Sequence, residues 1–223
     1  MDDFRPDIGL VGDSFTHGAC VMPEHNLASN LKKLTELNIT NYGMSGIGPM
    51  TILAIVKEYV IKQKPKKVLW IHYEGNDLHD LTIENRNQFM RNYLQPNFSQ
   101  DLANRVDEID KALLKFNEIS FRLVNNDSKK KSTNFFQIFA SKKILLETLK
   151  LTKLRIRFGL AFGPGDFHSK EFHLILKQAK KIINSWEGEL IFVYIPANQR
   201  KIENMFSRKG WDYSKRKVME ITR

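Results

Sequence analysis

Three residues of this chain have the types and settings that acyl transfer uses: Ser14 in Gly12-Asp13-Ser14, Gly43 in Tyr42-Gly43-Met44, and Asn76 in Gly75-Asn76-Asp77. A serine hydroxyl can attack a carbonyl carbon. A backbone N–H at a glycine and a side-chain carboxamide can donate to the oxyanion that develops in that attack. Each residue also has a plainer reading. Ser14 can simply cap the helix that follows it, and Gly43 and Asn76 can be ordinary turn formers.

What makes the set coherent is the stretch before each residue. Ile8 to Val11, Asn38 to Tyr42 and Lys67 to Tyr73 read as strands. The near-continuous apolar character of the third suggests burial on both faces of a parallel sheet. Helical patterns lie between them. Leu27, Leu31 and Leu34 recur at helical spacing, and Ile52, Ile55, Val56, Tyr59 and Val60 form an apolar stripe after Pro49. A fourth strand is expected over Leu190 to Ile195, after a helix carrying Phe172, Ile175, Leu176, Ala179, Ile182 and Ile183, with a last helix after Ala197. Alternating strands and helices predict an α/β protein with a parallel sheet in a three-layer α/β/α arrangement. In such a sheet the strands' carboxyl ends share one edge, where open α/β sheets bind ligands. One domain over 1–223 is expected, with a largely helical insertion from about Leu78 to Asp166 that opens irregularly over 78–100.

Length and composition set limits. With 223 residues, 42% hydrophobic and 27% charged, the chain can bury a substantial core and is not a disordered polymer. Its single cysteine, Cys20, excludes an internal disulfide and is expected to be a small buried hydrophobe. No Cys/His spacing suggests a metal, and no glycine loop suggests a phosphate-bearing cofactor, so none is expected. The first residues are acidic and polar, unlike a secretory signal, and no run is long enough to span a bilayer. A cytoplasmic location is the expectation, with export left open if the N-terminus is incomplete. The net charge of +10 is concentrated between Lys129 and Arg157, among Phe135, Phe139, Ile144 and Leu149. That pattern is either a solvated helix face or a surface for peripheral contact with an anionic membrane. No nucleic-acid signature accompanies it, and no nucleic-acid partner is expected.

The three motifs, in this order and at strand ends, resemble the SGNH (GDSL-type) hydrolases. The resemblance covers Ile8 to Asp77 by motif and the fourth strand by pattern only, with one residue fewer between Gly75 and Asn76 than the family pattern has. It implies a flavodoxin-like sheet and a serine esterase acting on acyl esters, acetyl among them, of a small molecule, lipid or sugar. It makes Ser14 the nucleophile, and the N–H groups of Ser14 and Gly43 with the Asn76 carboxamide the oxyanion hole. The family's base comes from an Asp-x-x-His block beyond its last strand, and no Asp-x-x-His occurs here. His72 and His173 read as structural, while His17, His79 and His168 are the imidazoles that could be recruited as a base instead. The expectation is therefore a hydrolase impaired by loss of its last strand and base. The alternatives are a non-catalytic relic that keeps the pocket as a ligand-binding module, and a membrane-surface protein.

Overall fold

A computed structural model describes residues 5–127, 169–198 and 205–222. The chain divides into two compact units, one of Met1–Gln100 with Phe162–Arg223 and one of Asp101–Ala161. The basic segment with its possible membrane contact lies outside the described residues, as does His168. No helix among the described residues is long and apolar enough to cross a membrane.

The first unit is built on a parallel sheet of four strands: β1 (Ile8–Gly12), β2 (Ile39–Asn41), β3 (Lys67–Tyr73) and β4 (Glu189–Ile195), in spatial order β2-β1-β3-β4. Register is fixed by Ile8 against both Ile39 and Lys67, and by Lys67 against Glu189. Successive side chains leave a strand on opposite faces. Leu10 and Ile8 accordingly pack with Ala28 and Ile39, while Val11 joins Val68 and Trp70 in the larger core. Every residue of β1 is buried, which is why its sequence shows no polar alternation.

Helices cover both faces, compatible with three layers. One face takes α2 (Leu27–Thr35), started by Asn26, whose side chain accepts the Ser29 N–H at 2.8 Å. The other takes α3 (Pro49–Ile55), continued by a π turn (Val56–Val60) and α4 (Ile61–Gln63), together with α5 (Asp77–Glu84). The short α1 (Ser14–His17) and α6 (Gln88–Arg91) complete the part before the second unit, in which α7 (Val106–Asp127) is described. After it come α8 (Ser169–Asn184) and α9 (Met205–Ile221), which add Phe172, Ile175, Ala179, Ile183 and Val218 to the larger core. Each of the larger apolar side chains, Phe172, Ile175, Ile183 and Val218, contributes about 1.5–3 kcal/mol by leaving water.

The structure departs from the sequence reading in four places. Of residues 78–100, expected to be irregular, 78–94 carry α5, α6 and a 3₁₀ turn in the first unit, while 95–100 carry no helix or strand, as expected. Leu34 is exposed, because α2 turns Leu27, Ala28 and Leu31 toward the sheet and leaves Leu34 off that face. Cys20 is exposed as well. In the stripe after Pro49, the π turn shifts the helical phase, so that Lys57 and Glu58 are buried and Tyr59 is exposed. The Lys57 ammonium reaches the carbonyls of Gln95 at 2.5 Å and Phe98 at 3.1 Å. Glu58 accepts the Tyr93 hydroxyl at 3.0 Å and the Gln100 N–H at 2.6 Å.

Candidate active site

β1 delivers Gly12 to the sheet edge, and α1 starts two residues later. A Cβ on Gly12 would stand 2.1 Å from the Thr16 hydroxyl oxygen and 2.8 Å from the Ile71 carbonyl oxygen, so only glycine lets α1 close onto the strand ends. Asp13 is wholly buried and caps α1, its carboxylate accepting the Phe15 N–H at 2.9 Å. The Ser14 hydroxyl is half-buried and, among the described residues, makes a single long contact, 3.5 Å, to the second Asp13 oxygen. The Ser14 N–H, first in its helix, has no acceptor within that helix. Asp13, not Ser14, therefore carries the capping role, and the Ser14 hydroxyl is not committed to holding the turn.

β2 ends at Asn41, whose side chain joins two turns. Its Nδ2 donates to the Thr16 carbonyl at 2.9 Å, and its Oδ1 accepts the Gly43 N–H at 2.9 Å. The Met44 N–H donates to the Gly12 carbonyl at 3.1 Å. Gly43 is thus pressed against the helix that begins with Ser14. Its N–H, expected as an oxyanion donor, is engaged by Asn41 in this state.

β3 ends beside β1, Ile71 paired with Gly12, and the Phe15 and Tyr73 rings meet with centroids 3.9 Å apart. Beyond the strand, Asp77 is fully buried and accepts the Tyr73 N–H at 3.0 Å. His72, equally buried among Phe172, Phe192 and Tyr194, brings Nδ1 to 3.0 Å from the same Asp77 oxygen. At that distance the two side chains are in close polar contact inside the buried layer. Burial pushes the Asp77 carboxyl up, against the pull of His72, and the charge of Asp13 adds to the rise. Glu74 ties the turn to β4, its carboxylate accepting the Ala197 N–H at 2.9 Å.

Between these anchors sits Asn76, half-buried. Its Nδ2 donates to Asp80 Oδ2 at 2.8 Å, and its Oδ1 is buried with no hydrogen-bond partner. Burial also raises Asp80, opposed by His79 and by the bond from Asn76, with Asp13 again adding to the rise. Ser14, Gly43 and Asn76 all follow the carboxyl ends of adjacent parallel strands, so the sheet brings their turns to one edge, at the switch of strand order around β1.

The edge holds a hydroxyl and donors, and its acids are Asp13, Glu74, Asp77 and Asp80; no lysine or arginine occurs in 12–18, 41–48 or 73–80. Among the described residues the hydrogen-bond partner of the Ser14 hydroxyl is Asp13, and no histidine is bonded to it. His17 and His79 are exposed on the same edge, His25 and His173 are exposed elsewhere, and His72 is sequestered by Asp77. Among the described residues no group of three or more His, Cys, Asp or Glu is placed to hold a metal ion. Sequence reasoning missed Asn41 and Asp80. The Asn-x-Gly spacing of a side-chain-closed turn signalled the first, and the i,i+4 spacing from Asn76 signalled the second. No protein-family model, curated protein or solved structure matches the chain.

Proposed function

We propose that the chain is a serine ester hydrolase of the SGNH (GDSL-type) kind, with a flavodoxin-like sheet and Ser14 as nucleophile. The observation that carries this reading is the β2-β1-β3 adjacency, which sets the Ser14, Gly43 and Asn76 turns side by side on one edge. Ser14 attacks the acyl carbon of an ester of a small molecule, lipid or sugar. The Ser14 N–H and one N–H of the Asn76 carboxamide receive the oxyanion, and the Gly43 N–H joins them once it leaves Asn41. A base must take the hydroxyl proton, and none of the described imidazoles is bonded to Ser14, so turnover is slow in this state.

The same two facts, an engaged Gly43 N–H and a Ser14 bonded to no imidazole among the described residues, favour a second reading as a ligand-binding module that does no chemistry. A fluorophosphonate probe separates the two. Slow labelling that Ser14→Ala abolishes supports the hydrolase. Equal labelling of wild type and Ser14→Ala, with no turnover of short-chain aryl esters, rejects it.

A further inference from the structure

The Asn76 carboxamide is held on one side only. Its two ends have nearly the same shape, and which faces which way is decided by the partners. Nδ2 stands 2.8 Å from Asp80 Oδ2, while Oδ1 is buried and unpartnered. An ionised carboxylate can only accept, so it must face the amide nitrogen. One N–H is then committed to Asp80 and the second remains for a ligand at the edge. A protonated Asp80 carries a donor, and the unpartnered Oδ1 is an acceptor within a half-turn of the carboxamide. We propose that Asp80 is a positioning residue that selects the donor face of Asn76, and that protonating Asp80 turns that donor away from the Ser14 edge. The proposal rests on the reading of Asn76 as an oxyanion donor and adds a control to it.

The surroundings of Asp80 support the switch. The charged groups that act on it are His79 on its own helix and Asp13 from the β1 turn, while Asp77 and Glu84 are the other acids of α5. Burial and Asp13 raise it, and His79 opposes them. Glu84 is committed elsewhere, its carboxylate accepting the N–H groups of Gly48 at 2.8 Å and Met50 at 2.9 Å. Helix α3, packed on α5, has no titratable side chain over Pro49–Ile55. Because Asp80 lies above its ordinary 3.8, the carboxamide is correctly held at neutral pH and is lost as pH falls through the raised value.

The experiment follows the Asn76 side-chain NH₂ resonances of the full ¹⁵N-labelled chain, identified by their absence in Asn76→Ala, from about pH 7 to about pH 4. They are expected to titrate in wild type and to stay fixed in Asp80→Asn, whose amide offers an acceptor at every pH. Resonances that do not titrate in wild type, or that titrate equally in Asp80→Asn, overturn the proposal. In an aryl-ester assay, Asp80→Ala is expected to lower kcat by roughly 10- to 100-fold with KM little changed. Asp80→Asn is expected to recover most of that rate and to lose the acid limb. An unchanged kcat in Asp80→Ala also overturns the proposal. If wild type turns over no ester, the hydrolase reading falls, and the resonance titration still decides whether Asp80 commands Asn76.

Discussion

Gly43→Ala tests whether the contact between the β2 turn and α1 is as tight as the structure makes it. The Gly43 backbone does not occupy the left-handed region, where Gly18 and Gly46 are the glycines found among the described residues. Its requirement for glycine is therefore spatial. A Cβ there would lie 2.5 Å from the His17 amide nitrogen, 2.7 Å from the Thr16 carbonyl carbon and 2.8 Å from Thr16 Cβ. Non-bonded heavy atoms sit comfortably near 3.5–4.0 Å, so the two segments must separate by about 1 Å. Neither can yield alone, because α1 is fixed by the His17 N–H to Asp13 carbonyl bond at 2.9 Å and by Asn41 on the Thr16 carbonyl at 2.9 Å. The cost belongs at the top of the about 1–3 kcal/mol that overpacking usually brings. All the tryptophans, Trp70, Trp186 and Trp211, lie in the first unit, so urea unfolding followed by their fluorescence reports the part that carries the site. Gly46→Ala is the control: with φ 76° and nothing within 4 Å, it is expected to cost about 1–2 kcal/mol through the backbone alone. It is also expected to leave Ser14 labelling untouched, whereas Gly43→Ala slows it. A Gly43→Ala stability within about 0.5 kcal/mol of wild type refutes the close packing, and with it the nearness of Gly43 to Ser14.

Two further outcomes are expected. Asn76→Ala lowers kcat on aryl esters by roughly 10²–10³, the usual loss for one oxyanion donor, and a loss below about threefold removes Asn76 from that role. Burial raises the Glu84 carboxyl above its ordinary 4.5, against its bonds from Thr51, Gly48 and Met50. The folded chain then holds the Glu84 proton to higher pH than the unfolded chain does. The Glu84 contribution is present at or below the ordinary value and is lost as pH rises through the raised one. Comparing the unfolding free energies of wild type and Glu84→Gln across that window should show wild type losing ground as pH rises; parallel curves contradict it.

The strands were legible because each is a short run bounded by turn residues, and burial within a parallel sheet makes β1 and β3 nearly apolar. All four appear within a residue or two of their expected limits. Helix α5 was not legible, because only Leu78 and Leu81 of its apolar residues are buried and its acids read as a loop. Its Asp77 and Asp80 are nevertheless what the positive end of a helix favours. The π turn was invisible for a different reason. Lys57 and Glu58 look like a solvated face, and the partners that bury them, Tyr93, Gln95, Phe98 and Gln100, lie far along the chain. At the site, the strand-end placement of Ser14, Gly43 and Asn76 follows from topology. Which donors are already engaged depends on Asn41 and Asp80, and single-residue motifs do not carry that information.

The join between β3 and β4 has a meaning for how such a chain can grow. Lys67 pairs with Glu189 across roughly 120 residues, and the whole Asp101–Ala161 unit lies within that span. The entropy of closing a loop rises only with the logarithm of its length, so doubling such a span costs just about 0.6 kcal/mol. The sheet is therefore nearly indifferent to how much chain is stored between its third and fourth strands. Material can be gained, exchanged or shortened there while the Ser14 edge stays as it is, and this junction is where variants of the architecture would be expected to differ most in length.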